Sequence, residues 1–500
     1  MSGQTVTPRK FLQPIDRVAL GLMVVLSLLI GILLLSGDRT APRVRDFSWG
    51  DKPVSAEDTA FILTFSRPMN HDSVEANLKI KPSVPGKISW AGRRMAYTPL
   101  FPVPYGSEYQ VELKGAKDQI YGPKGKGKQM QPFTGSFRTR DRAFAYIGVD
   151  GQEQGRLILY NLTTQKKTIL TPADLVVMDF ESYPKGDRIL FSASDRRSQE
   201  KGLLAQQLYT VTTGLSFASL EDEPVPEGRL KLILDSKDYQ NLKFDLSDDG
   251  QTIVVQRLNR HKPSDFGLWI IQQDAKPQPL EAQPGGDFVI APDSASLAVA
   301  QGQGIAILPL KSGEKPLDFL PKFGVLLSFA PDGSAAAMVK FNTDYTRSLY
   351  LVTNQGTQKE LLRTTGSIQS CKFAPKRDTL YCLLTQLLQG ETYQEQPFFA
   401  AINLKSDPNS KTPPVKPLVV LPQQRDIQMS LSPDGLALLF DQIGTRPPEA
   451  TDTLRSNDGQ AIATGLLWML PLGDRVTTST DSPQLKPEQL LPGFHPRWLP

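Results

Sequence analysis

The chain is short of the residues that carry most metal and nucleophilic chemistry. It holds two cysteines and three histidines in 500 residues. Cys371 and Cys382 are too far apart for a CxxC redox pair and too few for a disulfide scaffold. His71, His261 and His495 lack the spacing of a metal site, so neither a metal nor a cofactor is expected. No GxSxG elbow and no GxxxxGK[ST] loop occurs, which removes the serine-hydrolase and P-loop readings. Charge of one sign is also scarce. A net charge of +4 over a mixed surface argues against a nucleic-acid partner.

Long apolar runs are equally rare: there is one. Val18 to Leu35 is eighteen residues without a charge, about 27 Å as a helix, close to the thickness of a bilayer core. Arg9, Lys10 and Arg17 precede it, which favours a cytoplasmic N-terminus. A cleaved signal peptide is the competing reading. Its apolar core normally spans about 7–15 residues; this run is longer, and LLLSGDRTAP offers a poor cleavage site. The expectation is a cytoplasmic tail over 1–17 and a transmembrane signal-anchor helix over 18–36. The bulk of this single-pass inner- or plasma-membrane protein then lies outside the cytoplasm, in the periplasm.

What the chain has in quantity is turn residues, with 38 glycines and 41 prolines, as suits an all-β protein. In residues 41–140, alternating runs occur at Thr59–Phe65, Asn77–Pro82, Gly86–Gly92, Arg94–Pro99, Glu108–Gly115 and Gly135–Arg140, the density of a β-sandwich. Phe65-Ser66-Arg67-Pro68-Met69-Asn70 resembles the FSxPM opening of bacterial Ig-like domains of the SbsA type. Trp90, PYGSEYQVEL from Pro104, GAKDQIYG from Gly115 and FRT from Phe137 follow in that family's order. No acidic calcium cluster accompanies them. The resemblance implies a module that spaces or docks others outside the cytoplasm. Phe65, Trp90 and Tyr109 read as core. Lys124, Lys126 and Lys128 read as a solvated hairpin tip, with anionic headgroups or glycans as the alternative.

From residue 142 a strand–turn–strand unit repeats. Met429 to Phe440 reads MSLSPDGLALLF. Proline presets the first corner, Asp bonds nearby backbone and Gly takes the positive φ. Related turns put their proline-position residue at 184, 248, 292, 331, 375 and 433. A second alternating pair follows each. A repeat of roughly 40–60 residues is propeller spacing. The pattern resembles the TolB-type, WD-repeat-like propeller, which implies fold and not function. The strand at Ala143 lacks its entry partner, and GFHPRWLP from Gly493 resembles such an entry. The expectation is a seven-bladed β-propeller over 142–500, closed by the C-terminal strand, which removes an open edge.

Cys371 and Cys382 flank one turn symmetrically. They face each other as a disulfide in the simple register, or remain buried thiols in a shifted one. In a four-stranded meander, the loops from second to third strand share one face. They are long here: Ala193–Gln206, Asn259–Phe266, Asn342–Arg347, Gln386–Gln396 and Gly444–Thr464. That insertion face is the candidate binding surface. It carries Arg196 and Arg197, then Arg260, His261 and Lys262, then Arg347 and Arg446, against Glu391, Glu395, Glu449 and Asp452. Mixed charge suits an envelope protein or glycan. The expected function is a non-enzymatic, membrane-anchored binding or scaffold protein of the bacterial cell envelope. The alternative is an envelope-polysaccharide lyase or glycosidase in the propeller channel, marked by converging charges and raised carboxylate pKa values. An apolar plug in that channel would favour the binder.

Overall fold

The computed structural model describes residues 14–36, 40–50, 52–119, 127–198, 205–215, 225–273, 275–280, 285–302, 304–311, 314, 316–390, 393–405, 415–424, 426–449, 452–456, 458–473 and 485–500. Most of the expected tail, Lys124, Lys126 and Glu391 lie outside them. Pro14–Ser36 is a helix of 23 residues. Its described side chains run unbroken from Arg17 to Ile32, and all but Gly31 are exposed. Among the described residues no helix is long and apolar enough to cross a membrane.

Eight strands follow: β1 (Val44–Phe47), β2 (Pro53–Val54), β3 (Phe61–Phe65), β4 (Leu78–Lys81), β5 (Gly86–Ala91), β6 (Arg94–Pro99), β7 (Glu108–Leu113) and β8 (Phe133–Thr139). They form two four-stranded sheets, β1-β3-β6-β5 and β2-β8-β7-β4. Each sheet has one wet face, so β3 and β7 alternate buried and open residues. Phe61, Phe65, Tyr109 and Phe137 are buried in one core. Trp90 sits at its edge, stacked on His71 at 4.1 Å, with its indole N–H donating to Glu75 at 3.1 Å. The strand expected from Asn77 begins one residue later, because a short helix, His71–Asn77, precedes it. Asn70 caps that helix by accepting from the Ser73 N–H at 2.8 Å. Arg67 of the FSxPM stretch is buried and reaches Asp118 of GAKDQIYG at 3.3 Å. The two motif segments therefore meet across the sandwich.

From Ala143 the described chain forms seven four-stranded antiparallel sheets. The first contains Ala143–Ile147, Leu157–Asn161 and Lys166–Ile169, and takes its innermost strand, Phe494–Trp498, from the other end of the domain. The remaining six are consecutive meanders with inner strands Leu175–Ser182, Tyr239–Leu246, Phe288–Ile290, Val325–Phe329, Ile368–Phe373 and Met429–Leu431. A buried apolar core joins each sheet to the next, and the last core returns to the start. Leu439 and Leu467 of the seventh sheet pack there with Phe144, Ile158 and Trp498 of the first. The result is a ring, a β-propeller fold. Second strands lie between two neighbours, so they are buried without alternation: six consecutive residues of Arg188–Asp195 are buried. Closure is explicit in the pairing of Phe494 with Ile147, Arg497 with Ala145 and Trp498 with Phe144.

The turns work as their residues dictate. In the seventh sheet Asp434 Oδ1 accepts from Ser432 Oγ at 2.6 Å and from the Leu436 N–H at 3.1 Å, with Gly435 at φ 72°. Asp249, Asp293 and Asp332 accept in the same way from the residue two ahead. Cys371 and Cys382 stand directly opposite in the sixth sheet and are joined by a disulfide, both fully buried in the core shared with the fifth.

The central channel and its two mouths

The repeat that sets the turns also sets the channel lining. The residue three before each of the six proline positions lies on an inner strand, as does Arg497, three before Pro500 on the closing strand, and all seven line one cavity of about 1280 Å³. Four are charged: Arg497, Glu181, Asp245 and Lys372. The others are Val289, Ser328 and Ser430. Two residues earlier on their strands, His495, Asp179 and Lys243 line it too. A bulge interrupts five of the seven inner strands just before these positions, a common device for aiming a side chain.

The charges interlock around the seam that closes the ring. Arg497 on the closing strand reaches Glu181 at 2.9 Å and Asp179 at 3.4 Å, and His495 Nε2 lies 3.2 Å from Asp179. Arg497, Asp179 and Glu181 keep about a fifth to two fifths of their side-chain surface open to the channel and are otherwise enclosed by protein. For Asp179, burial alone would raise the pKa; the hydrogen bond from His495 and the charge of Arg497 outweigh it and hold the carboxyl at about 2. For Asp245 nothing outweighs burial. With the adjacent Glu181 charge and a hydrogen bond shared with Glu181, burial drives it well above the usual carboxylate range. Lys372 is open to the channel but crowded by protein. Desolvation first, then the Arg497 charge, lower its pKa. Behind the lining, buried Asp441 accepts from the backbone N–H of His495 and of Gln428, each at 2.7 Å. Burial lifts its pKa to about 6 despite those bonds.

The sandwich takes the turn-side mouth. Ala56, Glu57 and Thr59 line the same cavity as Pro292, Pro331 and Pro433 of the turns. Asp434, only 2% exposed, accepts from the Tyr105 N–H at 3.2 Å and pairs with Arg142 at 3.1 Å. Lys376 stands over the Phe101 ring at 3.5 Å. The insertion face is on the opposite side.

There the expected binding residues divide. Four arginines tie loops. Arg196 donates to the carbonyls of Ala173 and Gln154, Arg260 to Ser236, and Arg347 to Thr365 and Gly366. Arg446 pairs with Asp452 at 2.5 Å and Glu449 at 3.2 Å. Arg197, His261 and Lys262 are exposed. These residues stand on loops or at the adjoining strand ends of the second, third, fifth and seventh sheets and do not form one cluster. Several expected loops are partly strand, since Thr379–Leu387, Glu395–Asn403, Ala437–Arg446 and Ala461–Pro471 extend into them. A second cavity, about 720 Å³, opens between the insertion loops of the sixth and seventh sheets and shares Gln369 and Asp426 with the channel.

The charged channel groups were missed in reading the sequence, and a signal for them existed. In VMDFES, KFDL and SCKF, polar and charged residues alternate with buried Phe180, Phe244, Cys371 and Phe373. On an innermost strand that alternation points charge at the axis. Among the described residues no group of three His, Cys, Asp or Glu could hold a metal ion.

Neither a family model nor a curated protein matches the sequence. Solved structures do match. TolB from Acinetobacter baumannii aligns with a TM-score of 0.39 at 11% identity, over 85% of this chain and 83% of that one. An oligogalacturonate lyase from Vibrio parahaemolyticus gives 0.40 at 11%, over 60% and 87%. Prolyl oligopeptidase B from Galerina marginata gives 0.43 at 9%, over 71% and 52%.

Proposed function

We propose that this chain is a membrane-anchored binding protein of the bacterial cell envelope. In this reading the N-terminal helix holds it in the inner or plasma membrane with its N-terminus in the cytoplasm. An Ig-like sandwich of the SbsA type then carries a seven-bladed, TolB-type propeller outside. The propeller takes a protein or glycan partner on its insertion face, without a cofactor or nucleic acid. One observation carries the reading: the sandwich occupies the turn-side mouth through Tyr105, Arg142 and Asp434, so the long loops face away from the anchor. The exposed apolar side chains of the helix support the anchor, and the disulfide suits an oxidising compartment. The test is in-cell photo-crosslinking from His261 and Tyr345 on the insertion face, with Lys185 on the turn face as control. Stoichiometric capture from the first two alone is expected; capture only at Lys185, or at no site, overturns the reading.

A second reading has its own observation. Asp245, with its raised pKa, lies against Glu181, which Arg497 pairs. A carboxyl whose pKa is raised beside one paired with a cation is the kind of arrangement general acid–base chemistry uses. This reading is an envelope-polysaccharide lyase or glycosidase working in the channel. It expects polysaccharide cleavage by the wild type and its loss in Asp245→Asn.

A further inference from the structure

The cavity between the sixth and seventh sheets is lined by oriented hydroxyls and by the amides of Gln369, Gln394, Gln423 and Gln424. Glu395 opens the strand Glu395–Asn403 and accepts from Thr385 Oγ1 at 2.7 Å, from Ser367 Oγ at 3.1 Å, and from the Tyr393 hydroxyl. Across the cavity Ser456 Oγ donates to Asp458 Oδ1 at 2.5 Å. Four hydroxyls thus have their protons committed to two carboxylates. What each has left to offer is oxygen lone pairs. The glutamine amides both donate and accept, and the carboxylates of Glu395, Asp426 and Asp458 disfavour an anion, so a ligand satisfied here both donates and accepts, as a hydroxyl does.

Charge narrows the class. Glu395 is already solvated by hydroxyls, and the Arg347 guanidinium faces both it and Tyr393. A cationic ligand would therefore compete with a cation in place. Shape narrows it further. Tyr393, 67% exposed, lines the cavity at its rim. A flat apolar ring beside walls of hydroxyl and amide groups matches a molecule with C–H faces and hydroxyl edges. The volume lies within the range of ligand pockets.

We propose that this groove binds an uncharged oligosaccharide, with Tyr393 covering a sugar face at the rim and the oriented hydroxyls accepting from the sugar's O–H and N–H groups. Because the groove meets the channel at Gln369 and Asp426, a bound chain is directed toward the charged seam. The proposal rests on the insertion face being the binding face, and names its ligand class.

The test uses the full chain in detergent micelles. Four probes are titrated by saturation-transfer NMR: chitotetraose, maltotetraose, tetragalacturonate and tetralysine. One or both neutral sugars should bind with Kd between about 10 µM and 10 mM. Tyr393→Ala should weaken that binding about tenfold or more, while Tyr393→Phe keeps the ring and most of the affinity. Gln394→Ala, at an exposed position, is the check should the tyrosine variants misfold; it should weaken binding severalfold. Absence of neutral-sugar binding overturns the proposal. So does preference for either charged probe, or binding that neither Tyr393→Ala nor Gln394→Ala changes. A protein captured by photo-crosslinking at Tyr345, with no sugar bound, refutes the ligand class and leaves the binding face standing. Failure of crosslinking together with Tyr393-dependent sugar binding isolates the fault to the partner.

Discussion

The two mouths of the channel are made from the same seven repeats and have opposite characters. On the turn side the connections are short, their aspartates are used up by local backbone, and the sandwich rests on them. On the insertion side the connections are long, their arginines brace neighbouring loops, and aromatic rings stand open. Asp332 and Asp434 show the difference within one motif. Asp332 is an exposed turn residue whose other carboxylate oxygen pairs with Arg377 of the next turn in open solvent. Asp434 is buried where the sandwich meets the seam between the seventh and first sheets, and its other oxygen takes the Tyr105 N–H and Arg142. Identical turn chemistry thus becomes a docking point only where a second domain covers it.

The comparison breaks most visibly at the seam. Removing Phe494–Pro500 takes away a whole inner strand, the Trp498 contact with Phe144 and the cation opposite Glu181 and Asp179. A fall in Tm of about 10 °C or more is expected by calorimetry; an unchanged transition would show that the ring does not depend on its closing strand. Next comes the docking point. Asp434→Ala leaves Arg142 and the Tyr105 N–H without their buried carboxylate and should cost about 2–4 kcal/mol in urea unfolding. Asp332→Ala should cost less than about 1 kcal/mol. Equal effects would erase the distinction between covered and open turns.

The smallest effect is one of slope. Asp441 has a folded pKa of about 6 against an ordinary 3.8. Between those values the folded ring holds a proton that the unfolded chain has released. Its stabilising contribution is complete below about pH 4 and is lost as pH rises through about 6, at most roughly 3 kcal/mol. Asp179, held at about 2, acts oppositely, with a contribution present above about pH 4 and lost below it. Asp441→Asn should therefore flatten the decline between about pH 4 and 6, whatever it does to absolute stability. A slope identical to wild type would place the titration elsewhere.

Much of the ring was legible in the sequence. The spacing of the Pro-Asp-Gly turns reports the sheets, and the orphan strand at Ala143 with its match at Gly493 reports the closure. The sandwich strands were legible wherever one face is wet, as in Phe61–Phe65 and Glu108–Leu113. The helix at His71 was not, because seven residues give little amphipathic period and its signal was a single cap, Asn70. The charged channel was not legible for a different reason. Period-two alternation says that Glu181 and Phe180 lie on opposite faces, but not which face meets the axis. That is fixed only when seven inner strands converge and Glu181, Asp245, Lys372 and Arg497 turn out to share one layer. Nor do residue types show that Arg196, Arg260 and Arg347 spend their guanidinium groups on loop carbonyls.

The closing strand has a consequence for synthesis. The ribosome makes the ring in order, so the first sheet waits for a strand that is translated after the other six sheets. Until Phe494–Trp498 emerges, one inner edge is open, Asp179 and Glu181 face no cation from the first sheet, and Asp441 lacks the His495 N–H. A chain arrested anywhere before that point carries the same three defects however much of it has folded. The ring therefore cannot close before this strand is made, and a protease that samples open strand edges can sort closed rings from open ones without any dedicated signal.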